Sequence, residues 1–304
     1  MSADLPMLRA SVVIPHLNTP DALARCLASV TAQRLDHGDF EVIVVDNGSS
    51  VSLDAVRAAY PRVEFLVEPL PGPGPARNAG VEASHAPILA FIDADCRAEA
   101  GWLQAAIDAV EPDPDHSVVG GDVRIDFADP SRLTAAEAYE AVFAYRQAMY
   151  IARLRFSGTG NLAMGRNVHA RVGPFAGIGI AEDRDWGRRA CALGLPARYV
   201  AAMRIYHPAR PDFASLATKW RRQVAHDLAD HHAHRRPLWK WRLRAAAVVL
   251  SVPISGAQLL LSDRLSGLGN RWRGLGMLAR TRLFRATEMW RAVDSPSQAE
   301  SWNR

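Results

Sequence analysis

The chain has 304 residues, 49% apolar and 22% charged, proportions that exclude wholesale disorder and leave room for one large domain or a domain with an appendage. Its 36 basic and 32 acidic side chains give a net charge of +4, with arginine concentrated in the last third, so that part is the one suited to an anionic partner. Cys26, Cys96 and Cys191 are odd in number and far apart, which argues against a disulfide framework or a cysteine zinc site and suits a reducing cytoplasm. The opening Met-Ser-Ala-Asp-Leu-Pro has no secretory-signal pattern.

Ala10 to Pro15 is an apolar run closed by proline and reads as a first buried strand. A helix follows, with Thr19 placed to cap it, Pro20 in its first turn, and Leu23, Cys26, Leu27 and Val30 on one apolar face. Phe40 to Val45 is a second buried strand ending in Asp46, before Asn47-Gly48-Ser49-Ser50. Strand, helix, strand predicts a crossover unit in a parallel sheet, where ligands bind beyond the carboxyl ends of the strands. His16, Asp46 and a later Asp93/Asp95 pair would converge there. Asp46 suits recognition of a sugar hydroxyl or a base N–H, and it suits equally well a plain Asp-Asn-Gly-Ser turn. Val63 to Val67 reads as a third strand. Pro71 to Pro75 then reads as a stiff loop opening a helix at Ala76, which would put Arg77 and backbone N–H groups at an anion-binding helix start. No G-x-G-x-x-G follows the first strand, which counts against a dinucleotide-binding enzyme.

Ile88 to Ile92 is short, β-branched and aromatic, a strand covered on both faces, and it ends in Asp93-Ala94-Asp95. Two carboxylates one residue apart repel, and a divalent cation is the simplest neutralising partner, Mg²⁺ or Mn²⁺ by ligand hardness. A solvated turn would carry the same three residues. Trp102 to Val110 has helical spacing, Val118 to Ile125 reads as a strand, and Ala135 to Leu154 as one long helix whose aromatics are core. Gly158-Thr159-Gly160 runs into a short strand from Asn161, and small residues there allow a close substrate approach. A helix opens near Glu182, Asp183 and Asp185, acids that also suit a helix N-terminus, and stops at Gly194. A further strand is expected from Ala197 to Met203, with His207 in the loop beyond it.

With these segments in order, the chain resembles family 2 of the glycosyltransferases, inverting enzymes of the GT-A fold. The matching segments are Ser11-Val12-Val13-Ile14-Pro15-His16-Leu17-Asn18, Val44 to Ser49, Ala76-Arg77-Asn78-Ala79-Gly80, Phe91 to Asp95 and Glu182-Asp183. The resemblance implies a Rossmann-like, mixed but mostly parallel sheet flanked by helices over residues 1–210, with 211–304 as a helical extension. It implies a nucleotide-sugar donor bound by Pro15, His16, Asn18, Asp46, Arg77 and Asp93. In that scheme Asp46 meets the base, uracil foremost, Arg77 supports the diphosphate, and His16 stands where an aromatic is commoner. Asp95 and His207 would ligate Mn²⁺ or Mg²⁺, Gly160, Asn161 and Glu182 would face the acceptor, and Asp183 would be the catalytic base. The reaction implied is direct displacement of a nucleoside diphosphate, UDP above others, by a hydroxyl of a glycan or lipid-linked acceptor in envelope polysaccharide or glycolipid synthesis. Rival readings are an inactive nucleotide-sugar-binding scaffold and a nucleotidyltransferase of similar architecture.

The last third is basic and helical. Asp227/His231 and Asp230/His234 are four apart from one another and read as a solvated helix face, since their spacing is not that of a metal site. No nucleic-acid motif accompanies the arginines, so nucleic acid is not expected as a partner. Ala245 to Leu261 is the most apolar segment, slightly short of a span and interrupted by Ser251, Pro253 and Gln258. It predicts a membrane-surface or re-entrant helical element at the inner face of the cell membrane, with Arg264 to Arg291 as a basic amphipathic companion; docking on the catalytic domain or a dimer interface would use the same residues. Donor sugar, acceptor, linkage and oligomeric state have no code in the sequence.

Overall fold

A computed structural model of the protein describes residues 7–294, which fall into two compact units. The first takes the chain up to Arg124 together with Tyr145–His207, and the second takes Ile125–Ala144 with the chain from Pro208 onward.

The strands of the sheet are β1 (Leu8–His16), β2 (Asp39–Asp46), β3 (Glu64–Val67), β4 (Ile88–Ile92), β5 (Arg97–Ala98), β6 (Val118–Asp126), β7 (Asn161–Gly165) and β8 (Arg198–Pro208). Their spatial order is β3-β2-β1-β4-β7-β6-β8-β5. The β3-β2-β1-β4 portion is parallel, β7 runs antiparallel to both β4 and β6, and β5 is antiparallel to β8. The first unit also holds α1 (Pro20–Thr31), α2 (Asp54–Ala59), α3 (Pro73–Ala83) and α4 (Trp102–Val110). The centre of the parallel half, β1, β2 and β4, carries buried apolar residues on both faces. In β4, Ile88, Ala90 and Ile92 enter one buried cluster with Val12, Ile14, Leu27 and Trp102, while Leu89 and Phe91 enter another with Val13, Leu162 and Trp186. That alternation is the period of two of a strand, and truncating Phe91 to alanine would cost about 3–5 kcal/mol.

Four local readings are corrected. Thr19 sits at the N-cap of α1, but its side chain caps nothing; its N–H donates instead to His16 Nε2 at 3.0 Å. α3 begins at Pro73, not Ala76, because proline in a first helical turn lacks only an N–H that has no partner within the helix. β8 continues to Pro208, so His207 is a strand residue.

The expected long helix over Ala135 to Leu154 is broken. α5 (Ala135–Phe143) ends before an extended Ala144 and a left-handed Tyr145 at φ +46°, after which α6 (Gln147–Met149) leads into a π-helical turn, Tyr150–Leu154. The two halves serve different cores. Tyr139 packs with Leu216 and Leu278, whereas Tyr145 packs against the cluster of Ile14 and Trp102. The first unit is completed by α7 (Arg166–Val172) and α8 (Glu182–Ala192).

The second unit joins α5 to α9 (Phe213–Ala233), α10 (Leu238–Leu250), α11 (Val252–Leu260) and α12 (Leu268–Asp294). Thr134 and Glu137 form a reciprocal capping box at the start of α5. Trp241, Ala245, Val248, Val224, Leu228 and Met289 form one core, with the Trp241 indole N–H donating to the Met289 carbonyl at 2.8 Å. His231, read as part of a solvated face, is buried with its ring 5.5 Å from that of Trp241.

Candidate active site

The register of β1 on β2 places His16 beside Asp46 at the carboxyl end of the parallel strands. Asp46 Oδ1 accepts from the Ser49 N–H at 3.2 Å and from the Ser49 hydroxyl, and His16 Nδ1 lies 3.4 Å away. Because Thr19 donates to His16 Nε2, the neutral ring carries its proton on Nδ1, facing Asp46. His16 is only 2% exposed, so it is a support for Asp46 and does not offer a face to a base; the exposed neighbour is Leu17, at 51%. Asn18 is exposed, yet its Oδ1 accepts from the Ser50 N–H at 2.8 Å, and its N–H donates to Ser49 Oγ. It ties the loop after β1 to the loop after β2. Pro15, half-buried, pairs in register with Val45.

A second set of groups gathers at the end of β4. Arg77, carried by α3, donates from Nη2 to Asp93 Oδ1 at 2.6 Å and from Nη1 to Glu182 Oε1 at 3.2 Å. It is 2% exposed, and both of its terminal nitrogens hold carboxylates. Gly160 leaves room for the Asp93 carboxylate, since a Cβ there would lie 2.3 Å from Asp93 Oδ2 and force it to shift. Thr159 Oγ1 reaches Glu182 Oε1 at 3.5 Å. Asn161, expected to face an acceptor, is fully enclosed. Its Nδ2 donates to the carbonyls of Asp122 and Met203, and its Oδ1 accepts from the Trp102 indole, so the residue pins the sheet.

Asp95 and His207 meet at the sheet edge. The register that pairs Arg97 with Tyr206 brings His207 alongside Cys96 and Asp95, with His207 Nε2 3.2 Å from Asp95 Oδ2. Ligand atoms of Asp95, Cys96 and His207 lie within 4.8 Å of one another, the only such grouping among the described residues. A carboxylate and an imidazole fit Mn²⁺ or Mg²⁺ with positions left for phosphate and water, whereas Cys96 is kept a thiol by burial and by the Asp93 and Asp95 carboxylates. The Tyr145 ring lies tilted against His207 with centroids 4.5 Å apart, and its hydroxyl lies 2.9 Å from Nε2.

Asp183, in the first turn of α8, lines a small cavity with Ser157, Thr159, Leu162 and Trp186. Burial, then the neighbouring Glu182 charge, push its carboxyl up to about 6, against an opposing hydrogen bond from the Arg184 N–H at 2.7 Å. Such a group is ionised at neutral pH and basic enough to accept a proton.

The family model for glycosyl transferase family 2 matches residues 11–178, more than half of the chain. The chain belongs to glycosyltransferase family 2.

Among relatives of this glycosyltransferase is one from Haloferax volcanii named Glycosyltransferase AglE, 34% identical over 225 residues, which are 72% of each chain. A validoxylamine A glucosyltransferase of Streptomyces hygroscopicus subsp. limoneus is 33% identical over 125 residues, 39% of this chain and 27% of its own. The fold is shared with a solved mannosyltransferase of Pyrobaculum calidifontis in complex with GDP-Man and Mn²⁺, at TM-score 0.59 and 17% identity over 95% of this chain and 88% of that one. It is shared also with GalNAc-T7 bearing UDP, GalNAc and Mn²⁺, at TM-score 0.51 and 16% identity over 69% and 45%. In the present glycosyltransferase, Ser49 and Thr159 lie in segments singled out in the sequence without a role of their own, whereas Tyr145 was hidden inside an apparently continuous helix.

Proposed function

We propose that the enzyme transfers a sugar from a nucleoside diphosphate donor, UDP-linked foremost, to a hydroxyl of a glycan or lipid-linked acceptor, with inversion and with a divalent metal. The observation carrying this reading is the chain of charge Asp93–Arg77–Glu182, which runs from the end of β4 to the residue before Asp183, a raised-pKa carboxyl. In this reading Asp46, held by Ser49 and His16, accepts a hydrogen bond from the base. Asp93, fixed by Arg77 and abutted by Gly160, accepts from a donor hydroxyl. Asp95 and His207 would hold Mn²⁺ or Mg²⁺, which when bound supplies Lewis-acid stabilisation of charge on the departing diphosphate. Asp183 takes the proton from the acceptor hydroxyl as it attacks the anomeric carbon, a role worth about 10²–10⁴ in rate. Glu182 keeps its neighbour's carboxyl basic and, anchored by Arg77 and Thr159, lines the acceptor side.

The test is turnover of UDP-, GDP- and dTDP-sugars with Mn²⁺ and simple acceptor glycosides, following nucleotide release by chromatography and the anomeric proton of the product by NMR. Release of one nucleoside diphosphate with a product of inverted configuration supports the reading. Release of pyrophosphate, or a product of retained configuration, overturns it.

A further inference from the structure

Independently of the donor site, we infer that α10 and α11 form a docking face for an anionic lipid surface, lying along the bilayer without crossing it. The two helices are separated by one turn residue, Ser251, and together make a continuous 23-residue element, Leu238–Leu260, longer than the apolar run alone indicates. By length and apolar character it is able to cross a membrane, and it is the only such helix among the described residues.

Its surface has two apolar sides. At about 100° per residue, the buried Trp241, Ala245, Val248 and Leu259 fall on one side, and they pack within the second unit. Trp239, Leu243, Leu250, Ile254 and Leu261 fall within an arc of about 60° on the opposite side. Those five are 58%, 60%, 75%, 78% and 86% exposed. A helix that is apolar on both sides with only one covered is incomplete in water.

Charge selects the occupant. Arg235, Arg236, Lys240 and Arg242 lie at or just before the N-terminal end of the element and are exposed, and Trp239 stands among them as an interfacial aromatic; Arg244 instead pairs with Asp227 at 2.7 Å on the packed side. Four cations around an amphipathic aromatic suit anionic headgroups, while the stripe enters the acyl boundary. The packed side excludes a span. It rests on the arginine-rich α12, where Arg282 Nη2 lies 3.3 Å from Ser255 Oγ, about halfway along α11. Carrying that arginine into the hydrocarbon region would be costly.

The experiment is vesicle flotation of the full chain with phosphatidylcholine vesicles, with and without about 30% phosphatidylglycerol, at low and high salt. The double variant Leu250→Glu, Ile254→Glu tests the stripe. Both positions are exposed, so circular dichroism and melting should match the parent. The parent should float with anionic vesicles, weakly with neutral ones and less at high salt. The variant's partitioning should fall at least about a hundredfold. Flotation of the variant equal to the parent, or a parent that stays in solution with every vesicle, overturns the inference. So does a parent that is dimeric by light scattering, does not float and becomes monomeric in the variant, which would make a second copy the occupant.

Discussion

Replacing Asp183 by asparagine should do two opposite things at once. The carboxyl is raised to about 6 from an ordinary 3.8, chiefly by burial and then by Glu182. A raised carboxyl is one the fold binds in its protonated form. It does not lower stability below its unfolded pKa, and the cost of ionising it grows as pH rises from about 4 to about 6. The difference of about two pKa units corresponds to a cost of about 3 kcal/mol at pH 8, and to roughly half of that at pH 5. An asparagine side chain carries no such charge, so Asp183→Asn should be more stable than the parent at pH 8 by up to about 3 kcal/mol, with the gain shrinking toward pH 5. Transfer should meanwhile fall by about 10²–10⁴ with donor affinity retained. The parent's single-turnover rate should fall about tenfold per pH unit below 6, since only the ionised carboxylate accepts the proton. Denaturant unfolding at pH 5 and pH 8, with rapid-quench transfer across the same range, measures all three. Full transfer by the asparagine variant, or a loss of stability at pH 8, would refute the argument.

Arg77→Ala leaves the Asp93 and Glu182 carboxylates facing one another without their shared cation; both are partly exposed, so the loss of stability should be at most about 3 kcal/mol, read as a fall in Tm. Gly160→Ala places a methyl against the Asp93 carboxylate, and calorimetry should show nucleotide-sugar affinity reduced while free-nucleotide affinity changes less. Tyr145→Phe removes the hydroxyl against His207 while keeping the ring. Mn²⁺ affinity, followed by electron paramagnetic resonance without donor, should weaken by about 10-fold or more, and an unchanged affinity would make Tyr145 a packing residue only.

Much of this was legible because the relevant signals are local. β4 reads as a doubly covered strand from five apolar residues, and all five are buried. Asp46, Asp93 and Asp95 follow from where strands end. What could not be read depends on partners far along the chain. That Arg77 is consumed by Asp93 and Glu182 depends on a contact 105 residues away. That Asn161 faces inward depends on Trp102, Asp122 and Met203 claiming its whole amide. His16 was placed by its turn: the Thr19 N–H draws the ring inward and leaves Leu17 outside, a choice that the sequence His-Leu-Asn does not encode. The break at Ala144 was invisible because alanine and tyrosine are both compatible with a helix; two separate cores, not propensity, end α5.

The claim that joins the rest is that nucleotide and metal are bound together beside Asp95 and His207. Calorimetric titration of the parent and of Asp95→Asn with UDP, GDP and dTDP, each in Mn²⁺ and then in EDTA, tests it most directly. One nucleotide should bind the parent in Mn²⁺, EDTA should abolish the heat, and Asp95→Asn should bind weakly in either condition. Equal binding in EDTA, or undiminished Mn²⁺-dependent binding by Asp95→Asn, would contradict it.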